Sequence, residues 1–178
     1  MVDFKYKPDG ETLKAFMKDH TFFRGIRGPV GSGKSVGCCI EVFRRALAQD
    51  KNANGIRRSR WAIIRNTNPQ LRTTTIKTWL DWFPEADWGK FTWSVPYTHH
   101  IKKGDIDLEV LFLALDRPED VQNFLSLELT GHRDNETSEI PKPIMDACSI
   151  RFGRFPSLRA VGTSCMWVMA DTIAPNED

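Results

Sequence analysis

The sequence predicts an α/β protein with a mainly parallel central sheet, and three stretches predict it. Phe22-Phe23-Arg24-Gly25-Ile26 reads as a short strand that runs into the glycine-rich turn Gly28-Pro29-Val30-Gly31-Ser32-Gly33-Lys34-Ser35. Behind that turn, Val36, Cys39, Ile40, Phe43 and Leu47 recur at helical spacing. Trp61-Ala62-Ile63-Ile64 is a short, continuous apolar run, which beside a strand–helix unit reads as a buried parallel strand.

The turn has the pattern G-x-x-x-x-G-K-S of a phosphate-binding loop. Its glycines let the backbone curl until successive N–H groups point at phosphate oxygens. Lys34 supplies a mobile cation for the β- and γ-phosphates, and Ser35 offers a hydroxyl to Mg²⁺. A helix that starts at this point adds a dipole favouring the same anion. ATP with Mg²⁺ is therefore the expected ligand, held by Gly28, Pro29, Val30, Gly31, Ser32, Gly33, Lys34 and Ser35.

The remaining elements can be taken in order. Residues 1–20 are polar, with a weak helical pattern at Leu13, Phe16 and Met17, and are expected at the domain edge near an adenine. Asp50 to Arg60 reads as a polar, basic loop, and the strand after it ends in Arg65-Asn66-Thr67-Asn68-Pro69. Such carboxyl ends are where α/β proteins place ligand groups, so Arg65 either faces the nucleotide or caps the sheet in solvent. Ile76, Trp79, Leu80 and Phe83 mark a helix that Pro84 ends. Phe91 to Val95 alternates like a strand, and His99 to Leu115 reads as a hairpin turning at Lys103-Gly104-Asp105. His99-His100 lack partners at metal-ligand spacing and are expected as exposed strand histidines. Asp116 to Asp120 has the chemistry of a helix start, with Val121, Phe124 and Leu125 as the buried face. Pro141 to Ser149 is a short helix. Arg151, Arg154 and Arg159, with Phe152 and Phe155 between them, form a basic cluster suited to phosphate or to solvent. Cys165 to Ala170 is a further central strand ending at Asp171-Thr172, and the polar end after it suggests a cut from a longer protein.

Hydrolysis needs a second acidic site to hold the metal's water shell and orient the attacking water. His132-Arg133-Asp134-Asn135-Glu136 is the candidate, although its lead-in is polar where an apolar strand is expected. Glu136 is read there as the water-activating base, with a surface turn as the alternative.

Composition sets the limits. With 178 residues, 40% apolar and 27% charged, one domain able to bury its own core is expected. A net charge of +2 does not announce a nucleic-acid binder. Cys38, Cys39, Cys148 and Cys165 show no metal spacing and read as free thiols of a cytosolic protein. The polar, charged stretch Met1 to Asp9 gives no expectation of a signal peptide, and no membrane span, repeat or low-complexity segment is expected.

Taken together, several blocks resemble the ATPase domain of the large terminase subunit of tailed phages. They are Arg24 to Ser35, Trp61 to Thr67 with Pro69 to Thr75, Leu111 to Val121, Leu125 to Gly131, Arg154 to Ser157, and Asp171-Thr172 with Ala174-Pro175. The resemblance implies an ASCE-type P-loop NTPase: a three-layer α/β/α sandwich, here with an added β-hairpin, filling residues 1–178 as one domain. It implies a motor that hydrolyses ATP to thread double-stranded DNA into a procapsid, in the host cytoplasm and transiently docked on the portal. The partners implied are the portal protein, a small terminase subunit and further copies in a homo-oligomeric ring, expected as a pentamer; no membrane is involved. The C-terminal nuclease domain of such proteins is absent from this sequence, so cutting is not expected. By the same resemblance Lys34 and Glu136 are catalytic, with Arg65 a substitute for an arginine finger that cannot be placed. Ser35 and Asn135 hold the metal, and Asp171 to Pro175 sense the γ-phosphate. Relatives carry Ala-Arg where Thr137-Ser138 stand, and Asn at Ile173.

Two readings from other classes stand beside it. Small nucleotide or metabolite kinases share the loop and this length, but no Arg-rich lid is visible. A degenerate copy could bind nucleotide without turning it over. An Asn-Lys-x-Asp guanine-reading motif is missing, which argues against a GTPase.

Overall fold

The computed structural model describes residues 5–150, 153–157 and 167–173. One sheet contains β1 (Phe23–Gly28), β2 (Arg57–Arg65), β3 (Phe91–Thr92), β4 (Tyr97–Lys103), β5 (Ile106–Ala114), β6 (Gly131–Asn135) and β7 (Trp167–Ile173). The order across it is β1-β7-β6-β2-β5-β4-β3. The first five run parallel, and β4 and β3 complete one edge antiparallel. All five parallel strands therefore end on the same edge of the sheet.

A strand covered on both faces needs apolar side chains at odd and even positions alike. In β2, Trp61 and Ile63 join one buried cluster and Ala62 and Ile64 the other. The first cluster takes Leu13 and Phe16 of α1 (Gly10–Lys18), Phe43 of α2 (Lys34–Ala48), and Trp79 of α4 (Lys77–Trp82). The second takes Phe124 of α6 (Pro118–Leu125) and Cys148 of α7 (Lys142–Ser149). Helices thus lie on both faces. Between β2 and α4 the chain forms a short α3 (Asn68–Gln70) and a π-helical stretch, Leu71–Ile76; α5 (Glu85–Trp88) precedes β3.

The first layer is also tied by charge. Glu41 of α2 is fully buried and accepts from Arg24 of β1 at 3.1 Å, Arg45 at 2.5 Å and Arg44 at 2.6 Å. Arg24 in turn donates to the carbonyl of Phe16 in α1 at 2.8 Å. One carboxylate therefore gathers arginines from β1 and α2, and Arg24 links them to α1.

Several expectations need correction. β2 begins at Arg57, inside the stretch read as a loop, because its arginines meet acids on β5 and in the turn before it: Arg57 with Asp105 of the turn, Arg58 with Asp107, Arg60 with Glu109. The strand expected over Phe91 to Val95 stops at Thr92. His99 is not exposed. It is fully buried; its Nδ1 accepts from Trp79 Nε1 at 2.8 Å and its Nε2 donates to the Gly89 carbonyl at 2.8 Å. Burial, first of all, pushes its pKa down, so it is held neutral. His100 is exposed and contacts Asp107, as a strand period of two requires. The hairpin itself forms, with Gly104 at φ 62° in its turn. Val121 and Leu125 are half-buried beside a buried Phe124. Cys38, Cys39 and Cys148 are buried thiols outside any disulfide among the described residues, and burial raises the Cys148 thiol; Cys165 lies outside the described residues. Among the described residues no helix is long and apolar enough to cross a membrane, and no group of three or more His, Cys, Asp or Glu could hold a metal.

Candidate nucleotide site

The glycine turn joins the end of β1 to the start of α2 at the carboxyl edge of the sheet. Gly31 and Gly33 take φ of 81° and 77°, the left-handed region that side chains resist. Gly33 caps α2, so the first-turn amides of α2 open toward the turn. Lys34 is buried, and its Nζ donates to the carbonyls of Gly28 at 2.6 Å and Pro29 at 2.7 Å and contacts Ser32 Oγ at 3.3 Å. The ammonium is thereby held over the loop. A cavity of about 300 Å³ lies against it, lined by Gly31, Ser32, Lys34, Ser35, Thr78 and Glu136. α1 packs behind: a Cβ on Gly37 would stand 2.5 Å from Leu13 Cδ1, and one on Gly33 3.6 Å from Leu13 Cδ2.

β6 carries the second half of the site. The stretch whose polarity argued against a strand is one, with all five residues buried. Its polar side chains contact one another and their neighbours, alternating between faces. Arg133 donates to Asn135 Oδ1 at 2.7 Å and reaches Cys39 Sγ of α2 at 3.8 Å. Asn135 Nδ2 donates to Thr75 Oγ1 of the π-helical stretch at 2.9 Å. His132 Nδ1 stands 2.9 Å from Asp134 Oδ1. Directly after β6 comes Glu136, which has φ 57°, the left-handed region, and is the one non-glycine there among the described residues. A residue held so costs of order 1–3 kcal/mol and is characteristic of functional positions.

Arg65 ends β2 beside it, 7% exposed rather than a solvated cap. Its guanidinium donates to the Asn135 carbonyl at 3.3 Å and lies 3.9 Å from Glu136 and 3.5 Å from Glu139. A second cavity of about 110 Å³ is bounded by Ser35, Arg65, Thr75, Arg133, Asn135 and Glu136. The fold thus brings Lys34, Ser35, Arg65, Asn135 and Glu136 to one place. Thr78 and Glu139 complete it without having been singled out in the sequence, and Thr75 and Arg133 were named there only within longer motifs, without a role of their own. For Thr75 and Thr78 the available signal was their place after a strand's carboxyl end.

Asn135 does not stand free as a metal ligand: its Oδ1 accepts from Arg133 and its Nδ2 is committed to Thr75. Ser35 on the first turn of α2 and the Glu136 carboxylate border both cavities, so the hydroxyl and the acid that a Mg²⁺ water shell requires are present. Arg154 and Phe155 are placed elsewhere. Their amides donate to the Leu129 carbonyl, and Arg60 lies over the Phe155 ring at 4.4 Å, toward the amino-terminal edge of the sheet. The backbone of Arg154 is thereby placed away from the glycine turn; Arg151, Phe152 and Arg159 lie outside the described residues. β7 pairs between β1 and β6 and brings the backbone of Asp171-Thr172 to the carboxyl edge; Ala174-Pro175 lie outside.

The fold is a mixed α/β one whose mainly parallel sheet collects a glycine turn, a helix start and an acid on one edge. It is the fold of large terminase ATPase domains. The large terminase of a thermophilic bacteriophage superposes with a TM-score of 0.69 at 10% identity, covering 93% of this chain and 39% of that one. The same protein in complex with ADP gives 0.62 at 13% identity, covering 83% and 33%. The large terminase ATPase domain of Thermus phage P74-26 gives 0.55 at 17% identity, covering 94% and 65%. This chain therefore spans well under half the length of the full large terminases it matches. No protein-family model and no curated protein sequence matches it.

Proposed function

We propose that this chain is the ATP-hydrolysing motor domain of a terminase large subunit, driving double-stranded DNA into a procapsid. The observation that carries the reading is Glu136 and Lys34 lining one cavity, the acid just past the end of β6 and the cation at the start of α2, behind the loop after β1. β7 standing between those strands supports the ASCE class, which is defined by an added strand between the loop strand and a strand leading to a catalytic glutamate. Solved neighbours hold ADP or ATP-γ-S.

In this reading the turn's amides and Lys34 hold the triphosphate, and Ser35 holds Mg²⁺, which neutralises phosphate charge when bound. Glu136 orients the attacking water. Arg65 fixes the acid and the end of β6 through one guanidinium, a positioning contact within the same chain. Residues 1–178 form the motor domain in this reading, and it works in a homo-oligomeric ring. In the host cytoplasm that ring would sit on the portal protein, with a small terminase subunit selecting DNA.

Lys34→Ala should abolish binding of a fluorescent ATP analogue, whereas Glu136→Gln should bind it and lose phosphate release. Undiminished turnover by either variant would refute the site. The engagement of Asn135 by Arg133 favours a second reading, nucleotide binding without turnover. Phosphate release stimulated by duplex DNA selects the motor; tight binding with no release under any DNA condition selects the second reading.

A further inference from the structure

We propose that the cavity between the end of β5, α3 and α6 binds a small amphipathic amine, an apolar body carrying a protonated nitrogen. The inference does not rest on the nucleotide reading.

The cavity holds about 420 Å³ and shares no residue with the two cavities at the glycine turn. That volume is in the range of small-molecule sites. Its position follows from topology. The chain leaving β2 runs to the face covered by α2 and α4, whereas the chain leaving neighbouring β5 runs to the face covered by α6. Adjacent parallel strands whose connections part to opposite faces leave a crevice at their carboxyl ends, where α/β proteins bind ligands.

The floor is apolar and firmly packed. Leu71, Leu115 and Phe124 are each 2% exposed or less and line it. Tyr97 lies alongside, its hydroxyl donating to Asn68 Oδ1 at 3.2 Å. The charged lining is Asp116 and Asp120 against Arg117, one carboxylate in excess. The Asp120 carboxyl is raised above its ordinary range by burial first, then by hydrogen bonding to Asp116 and by the charge of Asp116; Arg117 opposes this. A cation placed between the two carboxylates relieves that repulsion, and an anion there aggravates it. An apolar tail fills the floor, and a positive head meets the acids.

The test uses three probes of similar size: 4-phenylbutylamine, 4-phenylbutan-1-ol and 4-phenylbutyrate. Binding to the whole chain is followed by amide chemical shifts. The amine should bind saturably, perturbing Leu113 to Asn123, with the alcohol weaker and the acid weakest. Asp120→Asn, which keeps the shape, should weaken the amine roughly tenfold, as loss of a charge-assisted bond implies, and leave the alcohol unchanged. Asn123→Trp on exposed α6 should block the mouth to both. Lys34→Ala should change none of these, which separates this site from the nucleotide reading. Equal binding of acid and amine, or amine binding unaffected by Asp120→Asn, overturns the proposal, as does perturbation mapping to the glycine turn.

Discussion

Glu136 is where backbone strain and chemistry meet. An L-residue in the left-handed region sets its Cβ against its own carbonyl, at about 1–2 kcal/mol. The strand pairing of β6 and the contacts of Arg65 hold it there. Glu136→Gly should therefore be more stable than Glu136→Ala by about 1 kcal/mol in urea unfolding, because only glycine escapes the strain. Equal stabilities would show that the conformation is not imposed. Glu41 poses the opposite case. Glu41→Ala leaves Arg24 and Arg45 charged and buried without their carboxylate, and should cost about 3–5 kcal/mol. His99 gives a pH signature. Its folded pKa is lowered, so the unfolded chain binds the proton first as pH falls. Stability should decline on acidification from about 6.5, the unfolded value, down to the lowered folded one, and His99→Gln should flatten that slope.

The π-helical stretch is the element that links the second motif to the rest. Thr73 and Thr74 turn their hydroxyls back to the carbonyls of Pro69 and Gln70, at 2.9 and 2.7 Å, and this competes with the regular ladder. The extra residue of a π turn often marks a functional site, and here it presents Thr75 to Asn135. Thr75→Val should cost about 1–3 kcal/mol by leaving the Asn135 amide without its acceptor, and should weaken nucleotide binding as well. Thr75→Ser should restore both; rescue of stability without rescue of binding would confine Thr75 to packing. Legibility in the sequence divides along the same line. The glycine turn is local, so residue type and spacing revealed it. β6 was obscured because its polar residues are satisfied by groups far along the chain: Cys39 and Thr75 for Arg133 and Asn135. Strand period alone distinguishes His99 from His100, yet only the Trp79 and Gly89 partners explain why an imidazole can be inside.

At the scale of the molecule, the two faces of the sheet are unequal. One carries Trp61, Trp79, Phe43, Phe83 and Phe112 in a continuous aromatic core, with Trp79 and Phe83 only 4.3 Å apart. The other rests on Ala62, Ile64, Leu111, Phe124 and Cys148, with the His132–Asp134 pair buried beneath it. Apolar burial is the main source of local stability, so α6 and α7 should open more readily than α2. The candidate site spans both layers. Its glycine turn is rooted in α2, while Glu136 leads through Thr137–Glu139 into α7. A grip on the stable side and an acid on the labile side would let nucleotide hold fast while the acid's surroundings move. Native-state hydrogen exchange should then give the α2 amides protection near the global limit, and those of α6 and α7 distinctly less. Adding ATP-γ-S should raise protection around Thr137–Ser149, since an occupied cavity braces Glu136. Uniform protection across both layers would mean that the sheet opens as one unit, and the acid would then have no independent freedom to lend to a motor.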